Sequence, residues 1–463
     1  MHRSALLASF LAATALPAIA AAQDLPATPA GQEALAVLRE AIDVPTVKGR
    51  GQVPELAAKL KQRLVAAGFA EADIAFTPIG ETGYFTARYR GKDAGAKPVV
   101  VIAHMDVVEA RPEDWERDPF TSVVENGFVY GRGAVDNKGD MAMVMAAVMD
   151  MKRRGYVPAR DIVLGFSGDE ETEMATTQAM AQALSDAALV LNADAGGGEL
   201  AHDGKAFVYG VQAGEKTYAD YELSLADPGG HSSRPGATNP IATMGHALEA
   251  IWTNRFPVML SPLTKAYLQG AATNAPADIA PAMRAFAANP ADTAAADALS
   301  ARSEYIGVIR TTCVPTMVNG GHAPNALPQS ISANVNCRIF PGTPRSDVQA
   351  RLAEIIDNPA ITISFKDNGT IESLESPLDP EIMGAVEQAV HARAPGLQIV
   401  PNMSAGATDS MHFRALGITA LGVSATFMKP EDEFAHGLNE RIPVATLDPG
   451  VKQWVSVLTT LTQ

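Results

Sequence analysis

Apolar residues along the first part of the chain recur with two different periods. Over residues 32–42 they fall at Leu35, Val37, Leu38 and Ile42, on one face of a helix, and a second helix over 53–67 stops at Gly68. Short apolar runs follow. Residues 98–103 (PVVVIA) read as a strand covered on both faces, 162–166 and 189–192 as further buried strands, and 418–423 as another near the C-terminus. A Met- and Ala-rich helix is predicted over 141–153 and a closing helix over 449–461. Strands alternating with helices predict an α/β fold, a mixed sheet sandwiched by helices.

The middle of the chain follows another order. Residues 217–225 alternate as a strand, 239–253 read as a helix, 308–318 and 331–339 alternate again, 346–356 are helical and 361–365 form a short strand. Strand-helix-strand-strand-helix-strand describes a self-contained α+β unit. The expected organisation is an α/β domain in two parts, 23–213 and 376–463, interrupted by a smaller α+β domain, 214–375. Within the latter, 257–303 is an Ala-rich insert that Pro276, Pro281 and Pro290 break into short helices. It carries no evident chemistry and reads as a spacer or as a cap over a site.

Composition narrows the class of protein. At 463 residues, 47% hydrophobic and 19% charged, the chain is long enough for two domains and a large core. A formal net charge of -16, with no Lys/Arg-rich run to offset it, repels phosphate backbones, so nucleic acid is not expected as a partner. His2 and Arg3 precede an apolar run over 5–15 that breaks at Pro17, and small residues through Ala22 suit a signal peptidase. Residues 1–22 therefore read as a signal peptide, with export to a periplasm or the exterior. The run is too short for a permanent membrane span. Cys313 and Cys337 lie on the two predicted strands either side of Asn325; a disulfide and two buried thiols fit equally well.

Five short motifs carry residues with ligand chemistry. His104-Met105-Asp106 ends the strand over 98–103, and side chains two apart share a face, so Asp106 can fix the tautomer of a ligating His104. Asp136, in Gly131-Arg132-Gly133-Ala134-Val135-Asp136-Asn137, sits just before a helix, where a carboxylate can span two cations or simply cap the helix. Gly168-Asp169-Glu170-Glu171 follows the next strand, and adjacent carboxylates repel unless cations or solvent neutralise them. Asp194 ends another strand, and His436 lies in a loop after the last. Each alone is an ordinary turn or cap. Together at the ends of α/β strands, where such sheets bind ligands, they point to a metal site.

In this order the motifs resemble the family of dizinc peptidases and aminoacylases, which includes glutamate carboxypeptidase, acetylornithine deacetylase, succinyl-diaminopimelate desuccinylase and carboxypeptidase S. The resemblance runs over nearly the whole mature chain. It implies that His104 and Asp194 hold one cation, that Glu171 and His436 hold the other, and that Asp136 bridges them before a cis peptide to Asn137. Many members carry a second Asp where this chain has Asn137. By the same resemblance Glu170 is the general base and acid, Asp106 orients His104, and the middle domain is a lid. On the lid, His231 in Gly229-Gly230-His231-Ser232-Ser233 would stabilise the oxyanion, often across a dimer interface, so a homodimer through the lid is an option. Asn325 and Arg338 match positions that bind substrate, and a guanidinium can grip a carboxylate in a bidentate fork. Gly406 and Thr408 match a glycine-rich loop lining the pocket. The implied cofactors are two divalent cations, zinc foremost, with cobalt or manganese suiting the same donors.

The insert, the run through Val108, Trp115 and Pro119-Phe120 look most like carboxypeptidase S and the N-acyl-amino-acid hydrolases. The expected reaction is hydrolysis of an amide next to a free carboxylate, in a dipeptide, a C-terminal residue or an N-acyl amino acid. An aminopeptidase of the same family is the nearest rival. A catalytically silent binding protein of the same fold is another, though it would have no use for Glu170.

Overall fold

The computed structural model describes residues 25–367 and 369–463, so the expected signal peptide over 1–22 lies outside the described residues. The core forms around the helix Lys138–Arg153, of which nearly every residue is buried. It packs between the helices Pro29–Ile42 and Leu447–Leu461 and the sheet beside it, which is why its sequence is Met- and Ala-rich all round and carries no polar stripe. Thr28 caps the first of these helices by accepting a hydrogen bond from the Gly31 N–H, and Pro29 opens it.

Ten strands make the large sheet. Its order runs Ile74–Ile79, Thr82–Tyr89, Ile162–Ser167, Val99–His104, Leu189–Asn192, Ala420–Gly422, Ala206–Glu215, Gly197–Leu200, Phe427–Met428, with Ile399–Ser404 joined to Ala206–Glu215. The four strands from Ile162–Ser167 to Ala420–Gly422 are mutually parallel, and the flanking pairings are partly antiparallel. This is the mixed, helix-flanked sheet expected. Parallel neighbours end at one edge, so the residues after Val99–His104, Ile162–Ser167 and Leu189–Asn192 gather there. The hairpin Ile74–Ile79/Thr82–Tyr89 and the strands Ala206–Glu215 and Ile399–Ser404 are additions to the predicted set.

A second, antiparallel sheet has the order Thr312–Gly320, Ser330–Ile339, Thr217–Ala226, Thr362–Lys366. Helices Pro240–Thr253 and Arg345–Ile356 pack against it over a separate core that includes Tyr221, Leu223, Met244, Val335 and Leu352. Cys313 lies directly opposite Cys337 in this sheet, and the two form a disulfide rather than a pair of buried thiols.

The insert folds as short helices, chiefly Pro262–Ala271, Ala280–Ala288 and Thr293–Ser300, around Leu268, Met283, Phe286 and Leu299. It does not stand apart. Leu263 is buried in the main core, Gly270 lets its helix approach Val400 closely, and Gln398 Nε2 donates to the Gly270 carbonyl at 2.7 Å. The insert is thereby held on the strand Ile399–Ser404 of the large sheet.

Candidate metal centre

His104 is the last residue of its strand, Glu170 and Glu171 follow the end of Ile162–Ser167, and Asp194 follows Leu189–Asn192. Asp136 comes from the turn before the helix Lys138–Arg153, and His436 from the loop before the strand Arg441–Pro443. These five proposed ligands converge. His104 Nε2 lies 2.8 Å from one oxygen of Asp136, and His436 Nε2 lies 3.1 Å from the other. His104 Nε2 is also 3.5 Å from Asp194, and His436 Nε2 is 2.9 Å from Glu171. The arrangement is two groups, His104 with Asp194 and His436 with Glu171, joined through one carboxylate. The Asp136-Asn137 peptide is cis.

Neighbouring groups fix this geometry. Asn137 accepts the His104 N–H at 3.3 Å and donates to the Ala193 carbonyl at 3.2 Å, tying two strand ends together. An amide can accept and donate at once, which an ionised Asp at this position could not do. Glu440 is fully buried and accepts the N–H groups of Gly133, Val135 and Asp136 at 3.0, 2.8 and 3.1 Å, while Arg132 pairs with it at 2.6 Å. It therefore holds the whole turn that presents Asp136. Sequence reasoning assigned Glu440 no role; the only signal was a charged residue four positions after His436, with an arginine between glycines elsewhere.

Asp106 acts differently from expectation. Its carboxylate is 3.7 Å from His104 Nδ1, and its backbone oxygen, at 3.0 Å, takes the ring proton instead. The carboxylate accepts the N–H groups of Glu170 and Glu171 at 3.1 and 3.0 Å, so it anchors the turn carrying both glutamates. Asp169 faces inward and accepts the N–H groups of Ala175 and Thr176 at the start of the next helix. The three adjacent acids thus serve in three directions, which relieves their repulsion.

The electrostatics favour cations. Six carboxylates, those of Asp106, Asp136, Glu170, Glu171, Asp194 and Asp409, lie at or beside the two histidines. Burial pushes Asp194 up to about 7, with the charge of Asp136 adding to the rise. Burial also pushes Glu170 well above the usual carboxylate range, reinforced by the charges of Asp194, Asp409 and Glu171. Hydrogen bonds to Asp136 and Glu171 raise His436 to about 10. Two imidazole nitrogens with three carboxylates, one of them shared, suit a pair of divalent cations by donor type and by charge. The Glu170 carboxylate has no hydrogen-bond partner among the described residues, which leaves it free for proton exchange.

The lid and loop residues are placed less uniformly. His231 is exposed, in the two-residue strand Gly230–His231 paired with Ala326–Leu327, and Ser233 Oγ lies 2.8 Å from its Nδ1. The Ser232 N–H donates to the Asn325 carbonyl at 2.9 Å, so His231 and Asn325 share this ribbon. Among the described residues no hydrogen bond or ion pair joins either to the metal cluster. Arg338 leaves the lid sheet and donates to the Ala405 carbonyl at 2.7 Å, with its guanidinium 4.7 Å from the Tyr218 ring centroid. No carboxylate pairs with it among the described residues. The Gly406 N–H turns back to Ser404 Oγ at 3.0 Å. Thr408 departs from the expected substrate contact: its hydroxyl is buried and donates to Glu215 at 2.9 Å, and Glu215 pairs with Arg414 at 2.7 Å.

A cavity of about 730 Å³ borders Asp136, Asn137 and Asp194 and extends between the large sheet and the insert.

A mixed α/β sheet that gathers His104, Asp136 and Glu171 within reach of one ion at its strand ends frames a candidate metal site. The profile of Peptidase family M20/M25/M40 matches residues 100–460, and the chain belongs to that family. Among its relatives is an N-fatty-acyl-amino acid synthase/hydrolase of Bos taurus, 28% identical over 384 residues that cover 78% of this chain and 74% of the relative. A metallo-carboxypeptidase from Sulfolobus solfataricus has the same fold, with a TM-score of 0.69 at 19% identity over 92% of this chain and 98% of that one. So has a Bacillus subtilis protein described as a dinuclear metal-binding peptidase, with a TM-score of 0.59 at 15% identity over 93% and 98% of the two chains.

Proposed function

We propose that this protein hydrolyses the amide bond of a small substrate bearing a free carboxylate: an N-acyl amino acid, a dipeptide or the C-terminal residue of a peptide. His104 and Asp194 would hold one divalent cation, Glu171 and His436 the other, with Asp136 between them. The observation that carries the reading is the half-buried Glu170 carboxylate, without a hydrogen-bond partner among the described residues, beside five converging ligand-type side chains. When bound, such a pair of cations polarises the amide carbonyl and acidifies the attacking water. Glu170 takes the proton from that water and delivers it to the leaving nitrogen, a transfer its raised affinity for a proton suits. Arg338, without a carboxylate of its own, grips the carboxylate of the substrate. His231 stands exposed and reaches the developing oxyanion only when the lid closes.

The test is hydrolysis of N-acyl amino acids and dipeptides by the full chain, before and after chelation. Chelation should abolish turnover, and zinc, cobalt or manganese should restore it, zinc being the metal the donor set favours. Turnover that survives with less than one cation per ten chains overturns the reading.

Two further features support finer statements. The lid's edge strand Thr312–Gly320 has one strand neighbour, and it exposes Met317 at 61% and Val318 at 57%. The helix Pro240–Thr253 packed beside it exposes Trp252 at 68%. An open edge with adjoining exposed apolar side chains supports a homodimer through the lid. Size exclusion with light scattering should give twice the chain mass, and Trp252→Glu with Val318→Lys should halve it; a monomeric wild type at tens of micromolar rejects the dimer. The N-terminal pattern supports export with removal of 1–22, and N-terminal sequencing of the mature protein should begin near Gln23. Among the described residues no helix is long and apolar enough to cross a membrane.

A further inference from the structure

The face of the lid sheet turned away from its helices carries a polar row. Side chains alternate across a strand, and Ala219, Tyr221, Val335 and Cys337 face the lid core, so Tyr218, Asp220, Asn334, Asn336 and Arg338 share the other face. Tyr218 lies directly opposite Arg338 on one side, and Thr312 on the other. The guanidinium sits 4.7 Å from the Tyr218 ring centroid, close enough for an aromatic face to attract a cation. The ring is itself held. Tyr218 Oη donates to Asp220 at 2.7 Å, and Asp220 also accepts the side-chain amides of Asn334 and Asn336 at 2.9 and 3.0 Å. Asp220 is thus occupied by neutral donors, and it makes no ion pair with Arg338.

Positive charge is left over at this end of the sheet. Arg338 is half-buried and gives one of its donors to the Ala405 carbonyl, with no other hydrogen bond among the described residues. Lys216, two residues before Tyr218, is buried, and its Nζ donates to the Arg310 carbonyl at 2.8 Å. No carboxylate pairs with this lysine among the described residues. Burial, with the charge of Arg338 adding to it, holds the Lys216 ammonium down to about 7. Two neighbouring cations without an anion suit a negatively charged ligand at Arg338, the more open of the two. The contact with Ala405 also says where that ligand lies. Ala405 is four residues before Asp409, whose carboxylate accepts Ser167 Oγ and Thr177 Oγ1 at 2.5 Å each and whose charge bears on Glu170. Arg338 therefore meets the α/β domain on the loop that leads to the neighbourhood of Glu170.

We infer that Tyr218 is a positioning residue for the carboxylate of the substrate: its ring covers one face of the Arg338 guanidinium, the bond to Asp220 keeps the ring in place, and the guanidinium is left to present its N–H edge as a fork. The inference rests on the amide-hydrolysis reading above and adds to it a residue that acts through the arginine alone.

The experiment measures kcat and KM of the metal-loaded full chain on one N-acyl amino acid and on its α-carboxamide counterpart. Tyr218→Leu should raise KM for the carboxylate substrate at least about fivefold, within the range of a partly desolvated cation–π contact. It should leave kcat within about twofold, the pattern of lost uniform binding, and change kcat/KM on the carboxamide by less than about twofold. Tyr218→Phe, which keeps the ring, should recover most of the loss. In an Arg338→Ala background, Tyr218→Leu should add no more than about twofold, because the two residues act as one unit. Equal losses on both substrates, a fall in kcat in place of the rise in KM, a phenylalanine variant as poor as the leucine one, or additive effects with Arg338→Ala each overturn the inference. Should the carboxamide resist cleavage, the cycle with Arg338→Ala decides. Should Tyr218→Leu fail to fold, Tyr218→Thr, which suits a half-exposed strand, makes the same comparisons. A wild type that cleaves neither N-acyl amino acids nor dipeptides overturns the amide-hydrolysis reading and the inference with it, whereas the outcomes named before it, found in an active protein, overturn the inference alone.

Discussion

Glu170→Ala is expected to bind the same two cations per chain as the wild type and to lose about 10²–10⁴ of kcat, the usual worth of a positioned general base and acid. The separation of the two effects follows from geometry. Glu170 takes no part in the contacts among His104, Asp136, Asp194, Glu171 and His436, and its turn is held by backbone bonds to Asp106 that the substitution leaves in place. Metal content by elemental analysis and steady-state kinetics on one N-acyl amino acid measure both sides. A kcat within a few-fold of wild type would remove Glu170 from the reaction. Loss of metal together with kcat would instead make it a ligand.

His104→Ala should give the opposite pattern, with metal lost first and activity with it. The imidazole is fully buried, its Nε2 faces both Asp136 and Asp194, and its Nδ1 is fixed by the Asp106 carbonyl. Removing it leaves Asp194 without its histidine partner and Asp136 with one nitrogen neighbour where it had two. Elemental analysis after dialysis should find at most about one cation per chain, and turnover should fall below detection, a loss exceeding that of Glu170→Ala. Full occupancy of two cations in this variant would mean that His104 is not a ligand, whatever its position.

The parts of this architecture legible in sequence share a cause. Strands buried on both faces, such as Val99–His104, need continuous apolar runs, and the polar residue that ends each run marks the sheet edge where ligands gather. His104, the Glu170–Glu171 pair and Asp194 were therefore visible as strand-end residues, while their grouping around Asp136 rested on family resemblance. What was not legible depends on side chains reaching backbone far away in sequence. Glu440 serves the Asp136 turn across about 300 residues, and nothing in the spacing of either segment announces this. The strand Ile399–Ser404 was missed because proline and polar residues interrupt its apolar pattern, yet it carries the insert. Thr408 matched the pocket loop by resemblance alone, and only the fold reveals that its hydroxyl is bonded to Glu215.

Glu440 and His436 belong to the last part of the chain, yet one secures the turn that presents Asp136 and the other meets Asp136 and Glu171. Domains begin folding from the N-terminus while synthesis continues. During most of that time Asp136 has neither its backbone support nor its second histidine. Loading with two cations would accordingly be an event of the finished polypeptide, whose closing helix Leu447–Leu461 also completes the main core.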